Sequence, residues 1–582
     1  MIHSEVRDGM RIDWDVAIEM DDGLLLSADV FRPEDDDPHP VLLSYGPYAK
    51  GLAFQEGYPD QWARMIAAYP EVAEGSTNKY QAWELVDPEK WVPEGYVCLR
   101  VDSRGAGRSP GFIDHFSPRE TQDLYDCIEW AGAQPWSSGK VGLDGISYFA
   151  INQWQAAALN PPHLGAICTW EGAADFYRDM TYHGGILSTF FANWYDMQVK
   201  TVQHGLGDAG PKNPVTGINA CGDETFDEET LAANRSDFGA NISAHPFDDS
   251  HHRDRSARLE DITVPLLSAA NWGGHGLHAR GNFEGFGRAA SEQKWLEVHG
   301  EEHWIHFYTD YGRGLQLQFF DHFLKGEDNG WDRRPPVMLR VRHVDHFEDR
   351  TEEAWPITRT QWTTLHLHPD ATLRPQAPSA ASEVSFEALG EGLVFSTEPF
   401  ETKTEITGPS SLDLTVSSST ADADIFVVLE VVDPNGDEVV FQGALDPHSP
   451  IAQGWLRASH RALDRERSQP WRPWHTHLGA DPLTPGETYA LQIEIWPTSI
   501  VIPPGHRLLL TIRGKDYEYG GTDTAGMDVS SFKNRFTGCG PFLHDDPVNR
   551  PRDVYGGITT VHAGSLLVPV IPTADTQGSH HR

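Results

Sequence analysis

One serine, in the stretch Lys140-Val-Gly-Leu-Asp-Gly-Ile-Ser-Tyr-Phe-Ala150, has the surroundings that acyl-transfer chemistry needs. Val141 and Leu143 read as buried strand positions, and Gly145 stands two residues before Ser147. An apolar, helix-compatible run from Ala150 to Ala158 follows. A serine hydroxyl is a poor nucleophile until a base takes its proton and donors meet the oxyanion. A strand–turn–helix elbow supplies part of both needs. It lifts the hydroxyl off the sheet and presents the next backbone N–H at a helix N-terminus. The pattern Gly-x-Ser-x-Gly is incomplete here, because Phe149 takes the place of the last glycine. The flanking strand and helix, more than the triplet itself, point to a nucleophile.

The elements that must position this serine can be read around it. Ile12 to Phe31 alternates apolar and polar residues about Asp21-Asp22-Gly23, a hairpin signal. Val41 to Tyr45 is a compact strand ending in Gly46-Pro47-Tyr48, and a long polar insertion runs from there through Tyr80. Tyr96 to Asp102 is the next strand, followed by the glycine-rich Ser103 to Gly111. That loop lacks the Gly-Lys-Ser/Thr of a phosphate cradle and does not complete Gly-x-Gly-x-x-Gly. Glu120 to Ala133 reads as a helix, and His163 to Trp170 as a strand closed by Glu171-Gly172. Strands alternating with helices imply a parallel sheet with its chemistry at the strands' carboxyl ends. Tyr48, Asp102, Ser147 and Glu171 all fall at or just past such ends.

From Phe176 to about Leu259 the pattern becomes aromatic and helical, then glycine- and acid-rich, as expected of a cap inserted over an active site. Strands return at Val264 to Ala270 and Lys294 to His299, with a helix around Phe319 to Leu324 and a linker from Gly326 to Pro336. Beyond it, Leu412 to Ser417, Ile425 to Val432, Tyr489 to Trp496 and Arg507 to Arg513 are strands separated by turns such as Asp433-Pro-Asn-Gly436. The expected fold class is therefore α/β: residues 1–175 and 260–334 form one α/β domain, 176–259 its helical cap, and 335–582 an all-β jelly roll.

Composition narrows the function. The 582 residues carry a formal net charge of −41, which argues against nucleic acid or an anionic membrane as partner. Five widely spaced cysteines with no Cys-x-x-Cys read as reduced, buried thiols, not a disulfide framework or a zinc site. The histidines, including His251-His252 and His580-His581, form no ligand set with suitable spacing, so no metal and no cofactor are expected. Met1 to Asp8 has no apolar stretch resembling a signal peptide, and a cytoplasmic enzyme is the default expectation.

Gly145 to Ala157, Asp102-Ser-Arg-Gly105 and Phe320-Asp-His-Phe-Leu-Lys-Gly326 together resemble the cocaine-esterase-like hydrolases, a group that includes α-amino-acid ester hydrolases, β-lactam acylases and X-prolyl dipeptidyl-peptidases. The likeness continues through Thr407-Gly-Pro and Val501 to Arg507, so it spans nearly the whole chain. It implies an α/β-hydrolase domain, a helical cap, a C-terminal jelly roll, and acyl transfer through a serine triad. On this resemblance Ser147 is the nucleophile, the Tyr48 hydroxyl and Tyr148 backbone N–H are the oxyanion donors, and His303 is the base. His299 and His306 are its competitors. One position departs from the family. Where a triad aspartate is expected after the penultimate strand, the chain reads Asn271-Trp-Gly-Gly-His275, with no carboxylate. The acid is expected instead at Glu171, which keeps the order serine, acid, histidine; Asp175, Glu302 and Asp310 are the other candidates.

The expected function is a cofactor-independent serine hydrolase that cleaves a small-molecule carboxylic ester, or an amide, through an acyl-enzyme on Ser147. Tyr182, Phe191 and Trp194 from the cap, with Trp272, are candidate walls of an aromatic substrate pocket. One alternative is X-prolyl dipeptidyl-peptidase or acylase action, with Asp175 and Asp179 anchoring a free amine. A second is a catalytically impaired protein whose jelly roll binds carbohydrate. Assembly into a homo-oligomer is left open.

Overall fold

The computed structural model describes residues 3–379, 383–521 and 536–572; the His580-His581 pair lies outside them. Eleven strands build the first sheet. Its early strands are β1 (His3–Arg7), β2 (Met10–Glu19), β3 (Leu25–Arg32), β4 (His39–Gly46), β5 (Val97–Asp102), β6 (Ser137–Ile146) and β7 (Leu164–Trp170). A small separate hairpin, β8 (Tyr182–His183) with β9 (Ile186–Leu187), belongs to the cap. The sheet resumes with β10 (Leu266–Asn271), β11 (Lys294–His299), β12 (Val337–Arg342) and β13 (Phe347–Glu352). The spatial order is β1-β2-β3-β5-β4-β6-β7-β10-β11-β12-β13. Pairing is parallel from β5 through β12 and antiparallel at both edges.

The central strands are buried on both faces, which explains why they read as near-continuous apolar runs. One core cluster holds Val41, Leu43, Val97, Leu99, Val141 and Leu143 under helices that include Pro118–Gly132 and Tyr148–Ala157. The other face, with Leu42, Cys98, Ile146 and Trp170, continues into the aromatic interior of the cap. The register aligns the strand ends that matter: Ile146 pairs with Trp170, and Asn271 with His299. The loops carrying the serine, Glu171, residues 272–278 and residues 300–303 therefore leave the sheet side by side.

Between β7 and β10 the chain folds as short pieces, among them a π-helical turn Phe176–Thr181 and the helices Phe190–Trp194, Glu228–Ala233 and Phe238–Ala244. The second large sheet is all antiparallel, with Thr404–Ser418 flanked by Tyr489–Ile502 and Ile558–Ile571, and Asp424–Val432 flanked by Ala452–Arg457 and Arg507–Arg513. It closes on its own core of Leu412, Leu414, Ile425, Val427, Ile493, Ile495, Leu510 and Ile512. The domain boundary expected at residue 335 does not coincide with the sheet boundary. β12 adds in parallel to β11 through Leu296–Val337 pairing, and β13 turns back on it, so the α/β sheet extends to Glu352. Among the described residues no helix is long and apolar enough to cross a membrane.

Candidate active site

Ser147 follows β6 and caps the helix Tyr148–Ala157 at φ 56° and ψ −112°, outside the regions ordinary residues occupy. Its amide is tied to the Trp170 carbonyl at 3.1 Å, while Ala150 and Ile151 N–H groups return to its own carbonyl. The glycine missing at position 149 is compensated elsewhere. A Cβ on Gly46 would lie 2.4 Å from the Phe149 ring, and one on Gly145, at φ +152°, would lie 2.5 Å from Phe149 Cβ. The turn therefore accepts Phe149 because two neighbouring positions have no side chain.

Glu171 begins the segment after β7, also at positive φ (49°), with its amide on the Ala269 carbonyl at 2.7 Å. It is fully buried. One of its oxygens accepts from His303 Nδ1 at 2.8 Å. The other accepts from His299 Nε2 at 2.9 Å and from the Asn271 side-chain amide at 3.2 Å. The place where a triad aspartate was expected thus holds an amide, Asn271, that donates to Glu171. Glu171 lies well below the usual carboxylate range: burial alone would raise it, but the charges and hydrogen bonds of His303 and His299 outweigh that. The other acids considered are engaged or distant: Asp175 with Arg178, Glu302 with Arg64, and Asp310 on the surface.

Two groups that the sequence reading passed over complete the site. His303 Nε2 faces Glu84 Oε1 at 3.0 Å, not the serine. The serine's partner is His278, whose Nε2 lies 3.1 Å from Ser147 Oγ and whose ring stacks on His303 with centroids 4.5 Å apart. Glu84 sits at φ 62° in the loop before β5, and its carbonyl accepts the Ile146 N–H at 3.1 Å, one residue before the nucleophile. Glu84, Ser147 and Glu171, all at positive φ, converge here, and strained backbone of this kind clusters at active sites. Burial pushes Glu84 up and pushes His278 far down. His303 resists its own burial because Glu171 and Glu84 flank it, and it is held at about 10. His299, between Glu171 and Glu297, is held at about 9 and supports the floor of the site. His306 turns instead to Glu301 and Arg340.

A cavity of about 370 Å³ opens over Ser147, and Tyr48, Glu84, Tyr148, His278 and His303 line it. Its walls include Phe191 and Trp194 from the cap and Leu445 and Phe542 from the β domain. Tyr58 and Trp83, stacked at 3.8 Å, form another side. The Trp194 indole N–H donates to the Tyr48 hydroxyl oxygen at 3.1 Å, which leaves the phenolic proton for another acceptor. The Tyr148 hydroxyl is committed to Glu120 at 2.5 Å, so only its backbone N–H, at the first helical position, remains as a donor. Two of the four expected substrate-binding aromatics lie elsewhere. Tyr182 stacks on Tyr177 with its hydroxyl on the Ile242 carbonyl. Trp272 packs against Phe283 and Trp355 with its indole N–H on the Arg340 carbonyl. Each had a buried polar atom to satisfy, and found its partner away from the cavity.

Glu171, His278 and His303 offer ligand atoms within 4.8 Å of one another. Both Glu171 oxygens and both His303 nitrogens already hold hydrogen bonds, so a metal ion would have to displace them.

Residues 22–308 match the family described as X-Pro dipeptidyl-peptidase (S15 family), and residues 329–538 match its C-terminal non-catalytic domain. A CocE/NonD family hydrolase from Staphylococcus aureus is 32% identical, with 98% of this chain and 97% of that one covered and a TM-score of 0.82. This chain belongs to the S15 hydrolases. It is also similar to a putative serine esterase of Mycobacterium bovis, 28% identical over 83% of this chain and 84% of that protein. A cocaine esterase of Rhodococcus is 25% identical over 86% and 90%. This S15 hydrolase is thus a serine hydrolase of α/β-hydrolase fold with an appended all-antiparallel β domain.

Proposed function

We propose that this S15 hydrolase is an esterase that forms an acyl-enzyme on Ser147, with protons handled by imidazoles anchored on Glu171. The observation that carries the reading is the placement of Ser147 Oγ, hydrogen-bonded to an imidazole at 3.1 Å, in a cavity lined mainly by aromatic and aliphatic side chains. The Tyr48 hydroxyl and Tyr148 N–H would meet the oxyanion, and Phe191, Trp194 and Phe542 would enclose an apolar acyl or alcohol group. The peptidase reading needs free carboxylates for a substrate amine. Asp175 and Asp179 are bound to Arg178 and Arg280 and do not line the cavity, so neither is placed to anchor a substrate amine there; of the acids that do line it, Glu84 faces His303, and the exposed Asp60 is the one left for that role. On this reading Glu171 is the triad carboxylate, which argues against an impaired, carbohydrate-binding protein. The five cysteines are buried and unpaired, which supports a reducing, cytoplasmic setting.

The test is hydrolysis of a short p-nitrophenyl ester beside a dipeptidyl-proline anilide, with Ser147→Ala as blank. Ester turnover that disappears in the variant is the expected result. Preference for the anilide, or ester turnover that survives in Ser147→Ala, would refute the proposal.

A further inference from the structure

Two imidazoles, not one, stand at the reacting centre, and their surroundings differ in opposite senses. His278 touches Ser147 Oγ through Nε2, and its Nδ1 is buried without a partner among the described residues. It directly precedes the helix Ala279–Arg288, whose positive end disfavours an imidazolium there, and burial acts in the same direction. His303 has a carboxyl group at each nitrogen, Glu171 at 2.8 Å and Glu84 at 3.0 Å, an arrangement that favours a proton on both nitrogens. Glu84 fixes the second of these at the cavity-lining side, and the hydrogen bond from Ile146 holds Glu84 to the nucleophile strand. Neighbouring groups driven apart in this way are how a site divides acid from base work.

We propose that His278 and His303 share the proton transfers, His278 serving the Ser147 oxygen and His303 serving the leaving alcohol and then the attacking water. The proposal rests on the Ser147 acyl-enzyme reading above. In acylation the Ser147 O–H bond breaks, its proton passes to His278 Nε2, and Oγ bonds to the ester carbon. As the bond from that carbon to the alcohol oxygen breaks, the departing oxygen takes the proton from His303 Nε2. His278 is then protonated and His303 neutral, so the positive charge on His303 that had opposed protonation of His278 is gone while Glu171 still favours it. In deacylation water gives a proton to His303 Nε2 while its oxygen bonds to the acyl carbon. His278 returns its proton to Ser147 Oγ as the acyl bond breaks. Both rings finish as they began, and the sum is ester plus water giving acid plus alcohol.

The division predicts an asymmetry that a single-histidine relay does not. p-Nitrophenolate leaves without needing a proton, so acylation by a p-nitrophenyl ester needs only His278; His303 must then lose its Nε2 proton to solvent before it can take one from the attacking water, so deacylation still needs His303. In stopped-flow, His303→Gln should release about one equivalent of p-nitrophenol per site and then stall, its steady-state rate down ~100- to 10,000-fold. Mass spectrometry should find the acyl group on Ser147. His278→Gln should instead lose the burst, with acylation slowed by at least ~100-fold. Loss of the burst in His303→Gln overturns the proposal whatever His278→Gln does, and so does a wild-type burst in His278→Gln. If His278→Gln does not fold, His278→Asn and the His303→Gln burst each still decide it. Ester turnover persisting in Ser147→Ala would instead refute the acyl-enzyme reading itself.

Discussion

Replacing Glu171 by Gln keeps the size of the side chain and removes its charge. In the native site that carboxylate accepts from His303, His299 and Asn271 while fully buried. His299 retains Glu297 at 2.7 Å, so the main loss falls on His303, which keeps only Glu84. Breaking a buried ion pair by removing one partner costs about 3–5 kcal/mol. Where that loss is expressed in the transition state, about 4 kcal/mol corresponds to roughly a 1,000-fold fall in kcat. The remaining part should appear as a lower Tm. The assay is steady-state and stopped-flow hydrolysis of p-nitrophenyl butyrate at neutral pH, with circular dichroism and a thermal melt confirming that the variant is folded. With Glu171 gone, His303 should also lose its proton at a lower pH, so an alkyl ester, whose alcohol needs that proton, should suffer more than the aryl ester. A folded Glu171→Gln variant within about tenfold of wild type on both esters would refute the role assigned to this carboxylate, since general acid–base groups contribute ~100- to 10,000-fold.

Tyr48→Phe should lower kcat by ~100- to 1,000-fold with little change in KM, measured on the same ester, because an oxyanion donor acts mainly in the transition state. Gly46→Val should abolish soluble expression or cut activity severely, since even its Cβ would fall 2.4 Å from the Phe149 ring; expression and melting scans check this. Stability should also depend on pH through a set of buried neutral histidines. Burial holds His183, His275 and His475 at about 3, and His252 and His460 at about 4, all with side chains at most 5% exposed. Their folded values lie below the unfolded one, so the unfolded chain binds more protons and stability falls as pH drops below about 6.5 toward 4. His303 and His299 have the opposite sign: their contribution is full below about 6.5 and is lost as pH rises through 9 to 10. Melting temperatures from pH 4 to 10 should therefore peak near neutrality, and a melting temperature still rising from pH 7 down to pH 5 would contradict the burial of these rings.

The positions that local pattern sets were legible in the chain. A strand running into a glycine-bearing turn and an apolar helix marks Ser147, because strand, turn and helix each impose their own spacing on neighbouring residues. Glu171 was legible for a related reason. A carboxylate at the carboxyl end of the strand next to the nucleophile strand must emerge beside it, and Ile146 indeed pairs with Trp170. The strands of both sheets were visible as apolar runs, but their ownership was not. β12 reads like the strands after it, and only hydrogen-bond pairing with β11 assigns it to the first sheet. Glu84 and His278 carried no signal at all. Glu84 lies in a stretch with no periodicity, and His278 is one of two histidines in a glycine-rich turn. What makes each of them part of the site is a neighbour far along the chain: His303 for Glu84, Ser147 for His278. Leu445 and Phe542 reach the cavity only because the β domain packs against the loops of the first. Chain pattern, acting over a few residues, determined which groups could do chemistry. Tertiary packing, bringing together loops up to 219 residues apart, decided which imidazole meets the serine and which carboxylates hold the other.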